Sequence, residues 1–143
     1  MLDSDASTAK TLTLVAIIIQ AVFFVIGLFE TFALVLFFES VSTSSLTTNP
    51  GGQQFVALPN VISVIFSVAL AIGILWLLLD YFLIYKRLNE ERVKEAEAPA
   101  IVLGIIQLIF GGLIPGILLI VAWIEIRDSV NRQGNMRGSA PPI

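Results

Sequence analysis

Cysteine and histidine are both missing from this sequence, and only 13% of its 143 residues are charged. Without cysteine there is no disulfide and no thiolate nucleophile. Without either residue the usual zinc sites, haem ligation through histidine and histidine acid–base catalysis are excluded together. No P-loop, no Gly-x-Ser-x-Gly and no histidine-bearing dyad occurs. Intramembrane aspartyl chemistry needs two deep aspartates, and Asp80 is the only aspartate inside an apolar run. The expectation is a protein that is not an enzyme and holds no cofactor or metal. Eight bases against eleven acids give a net charge of −3, so there is no basic stripe for nucleic acid either.

What is present is apolar. Hydrophobic residues make up 57% of the chain, whereas a soluble domain carries about a quarter of its residues as charges. A fold of this size has too little polar surface for water, and lipid is the natural alternative. The expected fold class is an all-α integral membrane protein. Its bundle would have two long transmembrane helices and a broken third apolar segment, forming a helical hairpin or one Pro-kinked helix.

The segments follow in order as a single membrane domain. Residues 1–10 are a short polar N-terminus, and 11–38 form the first transmembrane helix, too long for a secretory signal. Residues 39–60 form a Ser/Thr-rich loop with Asn49-Pro50-Gly51-Gly52 turn chemistry and no lysine or arginine. Asn60 is a suitable cap for the second transmembrane helix, 61–85. That helix ends in the interfacial aromatics Tyr81 and Tyr85, followed by Lys86-Arg87. Residues 86–99 are a charged helical extension with opposite charges spaced by four, ended by Pro99. Residues 100–126 are the broken apolar segment and 127–143 a polar tail.

The third run carries a hinge sequence, with Gly111, Gly112 and Pro115 near its middle. If the run crosses once, bases fall on both sides of the membrane. If it turns back, all eight lie on one side, which the positive-inside tendency favours. Helix length argues the other way, because each half of 100–126 reaches only about 15–18 Å. The hairpin is the preferred expectation. It places Lys86–Lys94 in the cytoplasm, and the 39–60 loop outside, in a multi-pass protein of the cell membrane.

Several side chains invite a role. Glu30 lies roughly 7–8 Å from the midpoint of the first run, where an isolated carboxylate costs about 2.5–3.5 kcal/mol. It is the candidate intramembrane functional carboxylate. Gln20 is ten residues earlier and about 80° round the helix, so the two do not form one stripe. Gln20 and Gln107 are expected to make polar contacts between helices, and Gln107 is an available partner for Glu30. Asp80, one turn inside the end of the second helix, is within sequence reach of Lys86, Arg87 or Arg127. Small residues mark packing faces at Ser63, Ser67, Ala71 and Gly73, and at Gly104, Gly112 and Gly116.

These features point first to a small structural or accessory protein that packs in the lipid bilayer with other membrane subunits or with itself. The alternative is an oligomeric, proton- or cation-coupled small transporter or channel using Glu30. A deep first-helix glutamate resembles the small multidrug resistance transporters, and that resemblance implies a carboxylate binding protons and cationic substrates. The 39–60 loop, the Lys86–Glu97 extension and the polar tail depart from that family's tight loops. A membrane-shaping hairpin protein is a third reading, carried only by the Gly111–Gly116 break.

Overall fold

The computed structural model describes residues 3–45, 53–110 and 112–138, with the side chains of 42–45, 53–60 and 136–138 excluded. Every described element is helical: α1 (Ser4–Ser45), α2 (Gln53–Asp80), a π-helical segment (Tyr81–Tyr85), α3 (Lys86–Asn89), α4 (Val93–Ile109) and α5 (Leu113–Gly138). Two helices, Ser4–Val41 and Val61–Asn89, are long and apolar enough to cross a membrane.

Helix α1 starts where Asp3 Oδ1 accepts from the Ala6 N–H at 2.9 Å, an N-cap that satisfies one orphan donor. It runs to Ser45, seven residues past the expected end at 38. Ser40 donates to the Phe37 carbonyl at 2.7 Å, so its hydroxyl bonds to the helix instead of competing with it. Helix α2 begins at Gln53 and not at 61, which places Asn60 inside the helix and corrects its expected role as a cap. Residues 39–45 and 53–60 of the expected 39–60 loop are helical, and 46–52 lie outside the described residues.

The chain forms two compact units, Met1–Ala21 with Trp76–Ile143, and Val22–Leu75. In the second of these, Phe24, Gly27, Thr31, Val35 and Phe38 make a half-buried stripe on α1, and Ile62, Phe66, Leu70 and Gly73 make one on α2. A Cβ on Gly73 would sit 3.0 Å from the Phe24 ring, so this glycine is a true contact. Ser63, Ser67 and Ala71 are exposed. Ser67 turns its hydroxyl onto the Ser63 carbonyl at 2.8 Å.

The other unit is built from seams with alternating three- and four-residue spacing, the periodicity that keeps one helix face toward its neighbours. On α1 the seam is Ala6, Ala9, Thr13 and Ala16, all fully buried. On α4 it is Val93, Ala96, Ala100, Leu103 and Gln107, and on α5 it is Leu119, Ala122, Ile126 and Ser129. Residues 3–5 are tied to α5: Ser129 donates to Asp3 Oδ2 at 2.9 Å, and Arg132 pairs with Asp5 at 2.5 Å. Lys10 donates to Asn89 Oδ1 at 2.7 Å and lies 5.8 Å from the centre of the Tyr85 ring.

Helices α4 and α5 form a hairpin. The Gly112 N–H reaches five residues back to the Gln107 carbonyl at 2.8 Å and closes the end of α4. Pro115 is not at the break but in the first turn of α5, where a missing N–H is harmless because that turn has no internal acceptors for its donors. Gly111 lies outside the described residues. The arms meet at glycines: a Cβ on Gly116 would lie 2.8 Å from the Leu108 nitrogen and 2.9 Å from the Gly104 carbonyl oxygen.

The charged extension differs most from expectation. Instead of running to Pro99, helix α3 stops at Asn89. Glu91 adopts a left-handed backbone (φ 61°), its N–H bonds to the Leu88 carbonyl at 3.2 Å, and the Arg92 N–H bonds to the Arg87 carbonyl at 2.8 Å. This is a Schellman ending with glutamate at the position glycine usually takes. Helix α4 then starts at Val93 and passes through Pro99. Pro99 cannot donate to the Glu95 carbonyl four residues back, and Arg87 Nη1 supplies that bond at 2.6 Å. Arg92 hydrogen-bonds the Glu95 side chain, which holds that carboxyl below the usual glutamate range. Because Pro99 does not end the helix, α4 has 17 residues, about 25 Å of rise, of which the first turn and a half carries Lys94, Glu95 and Glu97.

Replacing Gly116 with valine should destabilise the chain by about 1–3 kcal/mol, because the clash is with backbone that cannot rotate aside. Gly27→Ala, where nothing lies within 4 Å, should instead add up to about 1 kcal/mol by stiffening the helix. Reversible unfolding from lipid–detergent micelles by dodecyl sulfate measures both; equal effects would contradict the glycine contact.

Candidate functional site

The polar residues of the apolar runs converge at one place. Asp80, the last residue of α2, is fully buried, and Gln107 on α4 is 4% exposed. Gln20, half-buried on α1, follows Ala6, Ala9, Thr13 and Ala16 on the same seam. The heptad-like spacing that buries small residues below it delivers its amide to Asp80. Gln20 Nε2 donates to Asp80 Oδ2 at 2.6 Å and to Gln107 Oε1 at 2.7 Å. Gln107 Nε2 donates to the same Asp80 oxygen at 2.7 Å. The three side chains close a ring of hydrogen bonds between α1, α2 and α4.

Both amides are aimed at one carboxylate oxygen. Asp80 Oδ1 and Gln20 Oε1 are buried and receive no donor from the described residues. None of the expected cations reaches Asp80. Lys86 is 3.9 Å from Glu90 and lies over the Phe82 ring. Arg87 is bound to the Glu95 carbonyl, and Arg127 stacks over Trp123 at 5.5 Å. The reason is geometric. Asp80 faces the bundle, whereas the bases that follow it face its charged end.

Immediately after Asp80 the helix widens into the π-helical segment Tyr81–Tyr85, with the Lys86 N–H bonded to the Tyr81 carbonyl. Such single-turn insertions are frequent at functional sites. Here it resets the helix phase, so that Ile84 and Leu88 are fully buried and Tyr81 and Tyr85 stack at 5.7 Å. No spacing rule in the sequence marks this segment. The small-residue seam of α1, by contrast, is visible as Ala6-x-x-Ala9-x-x-x-Thr13-x-x-Ala16 and was obscured by the continuous apolar run around it.

Glu30 is elsewhere. It is exposed on α1 beside Ala33, Leu34 and Phe37, within the Val22–Leu75 unit, and has no hydrogen-bond or ion-pair partner among the described residues. Gln107, the available partner for Glu30, is committed to Asp80 and Gln20 instead. Gly104 and Gly116 lie at the hairpin crossing, and Gly112 sits 3.3 Å, by its notional Cβ, from Gln107. Among the described residues there is no cluster of three or more acidic, cysteine or histidine side chains that could hold a metal ion.

Removing either glutamine should cost about 1–2 kcal/mol, the scale of interhelical hydrogen bonds in membrane bundles. Because each amide bonds to the other and to the same oxygen, Gln20→Leu and Gln107→Leu should be non-additive by at least about 0.5 kcal/mol in a double-mutant cycle. Strict additivity would mean that the ring does not act as a unit. No protein-family model matches this chain, and neither a curated protein nor a solved structure is significantly similar to it.

Proposed function

We propose that this chain is a multi-pass protein of the cell membrane, without catalytic activity of its own, that serves as an accessory subunit by packing against a transmembrane helix of another protein. The observation that carries this reading is Glu30. It stands on an outward row of α1, Phe23, Ile26, Glu30, Ala33 and Phe37, all exposed and all but Glu30 apolar. A lone carboxylate facing lipid at that depth costs about 2.5–3.5 kcal/mol, so such residues face protein or a polar cavity. Nothing in this chain covers it among the described residues.

The sequence narrows the partner. Between Lys10 and Lys86 there is no lysine, arginine or histidine. The Val22–Leu75 unit of a second copy brings no base of its own, so the counterpart in this reading is a helix of a different protein that carries one. A membrane setting is supported by the lack of burial of the two long helices: 11% of the apolar window of the first is buried and none of the second. The core helix of a soluble protein would be mostly covered. The contacts of Lys10 with Asn89 and of Asp5 with Arg132 gather bases from α1, α3 and α5 at one end of their unit, which supports a cytoplasmic location for that end.

Topology is tested in the cysteine-free background. Single cysteines at Asn89 and Gly138 should react with an impermeant thiol reagent from the same, cytoplasmic side; labelling from opposite sides would overturn the hairpin orientation. The partner chemistry is tested in lipid vesicles by energy transfer between the labelled full chain and a leucine-rich transmembrane peptide. A central arginine in the peptide should tighten association about tenfold over an all-leucine peptide, and Glu30→Gln should remove that preference. Equal association of both peptides with the unmutated chain would refute the reading.

A further inference from the structure

The ring around Asp80 leaves a chemical remainder that the accessory role does not use. Each hydrogen bond among its three side chains ends on Asp80 Oδ2 or on Gln107 Oε1. Gln20 Nε2 has two hydrogens, and both are engaged. Asp80 Oδ1 and Gln20 Oε1 are buried acceptors with no donor, and one of them belongs to a carboxylate with no basic side chain against it. Leaving such a group uncompensated costs several kcal/mol, so native structures pair a buried charge with a counter-ion. A positively charged ligand that asks only for oxygen atoms would complete this site.

We infer that Asp80 Oδ1 and Gln20 Oε1, with Gln107 holding Asp80 in place, form a binding site for a small monovalent cation. Hard cations without strong directional demands take carboxylate and amide oxygens, and the carboxylate and amide carbonyl here are of that kind. One carboxylate balances one positive charge, and Asp80 is the one acid in this ring of three side chains. The site is about 9 Å of helical rise from Lys86, the first residue of α3, a short path for an ion entering from that side. Gln20, Asp80 and Gln107 come from α1, α2 and α4, so the ion would clamp three helices that share no covalent turn at this level. The inference is independent of Glu30 and of any protein partner.

The experiment uses the full chain purified in detergent, at constant ionic strength, with sodium exchanged for lithium, potassium or choline. Sodium or lithium should raise the unfolding midpoint saturably over choline, by about 5 °C at ten times the dissociation constant. The fluorescence of Trp76, one turn before Asp80, should report the same saturation curve. Asp80→Asn, which keeps the size and an acceptor but removes the charge, should lose the response, and Gln20→Leu should weaken it at least tenfold. Should Asp80→Asn fail to fold, the unmutated chain still decides. A midpoint indifferent to cation identity, or one that moves with pH alone, would assign the site to a protonated carboxyl and overturn the inference. An unaltered sodium response in Asp80→Asn would overturn it as well.

Discussion

A carboxylate taken out of water has to be surrounded by donors, and few apolar sequences can provide them. Asp80 obtains its donors from two glutamines on two other helices, and that requirement organises the Met1–Ala21 and Trp76–Ile143 unit. Gln20 reaches it because the preceding α1 seam is alanine and threonine, small enough for close approach. Gln107 reaches it because α4 turns back at Phe110–Gly112 with its own carbonyl closing the turn. Changing the approach of any of the three helices would break one of these bonds and leave a further polar group buried without a partner.

The hairpin of α4 and α5 depends on a second constraint, the distance between backbones. Gly104 and Gly116 allow the arms to approach until a methyl group would strike a carbonyl. Where burial of apolar surface provides no drive between helices, close packing and hydrogen bonds are what remains. The helix through Pro99 shows how the same chain handles a lost bond. Arg87, reaching across the Schellman turn, donates to the carbonyl that proline leaves unpaired. A residue that looked like a helix terminator is tolerated because a long cationic side chain was placed to replace its N–H.

Some of this was legible in the residues. The two long helices follow from long apolar runs, and the glycine rows at 104 and 116 mark a close crossing. Gln20, Asp80 and Gln107 were recognisable as polar side chains in need of partners, though not as partners of one another. Pairing across 60 and 87 positions depends on helix rotation, which a single apolar run does not encode when both of its faces are hydrophobic. Ser63, Ser67 and Ala71 have the spacing of a packing face yet are exposed. Spacing defines a face without saying whether a neighbour occupies it.

By itself, the sequence determined the chemical class of this protein. Its apolar runs set two helices long and apolar enough to cross a membrane, and its missing histidine and cysteine set which side-chain chemistry it lacks, because these properties depend only on which side chains are present and in what order. Tertiary structure decided which polar groups meet, where the charged extension breaks at Glu91, and that the bases end up on Glu90, Glu95 and aromatic rings instead of on Asp80. These outcomes depend on rotation, crossing distance and the competition among donors for a few buried acceptors, and only a folded chain fixes those.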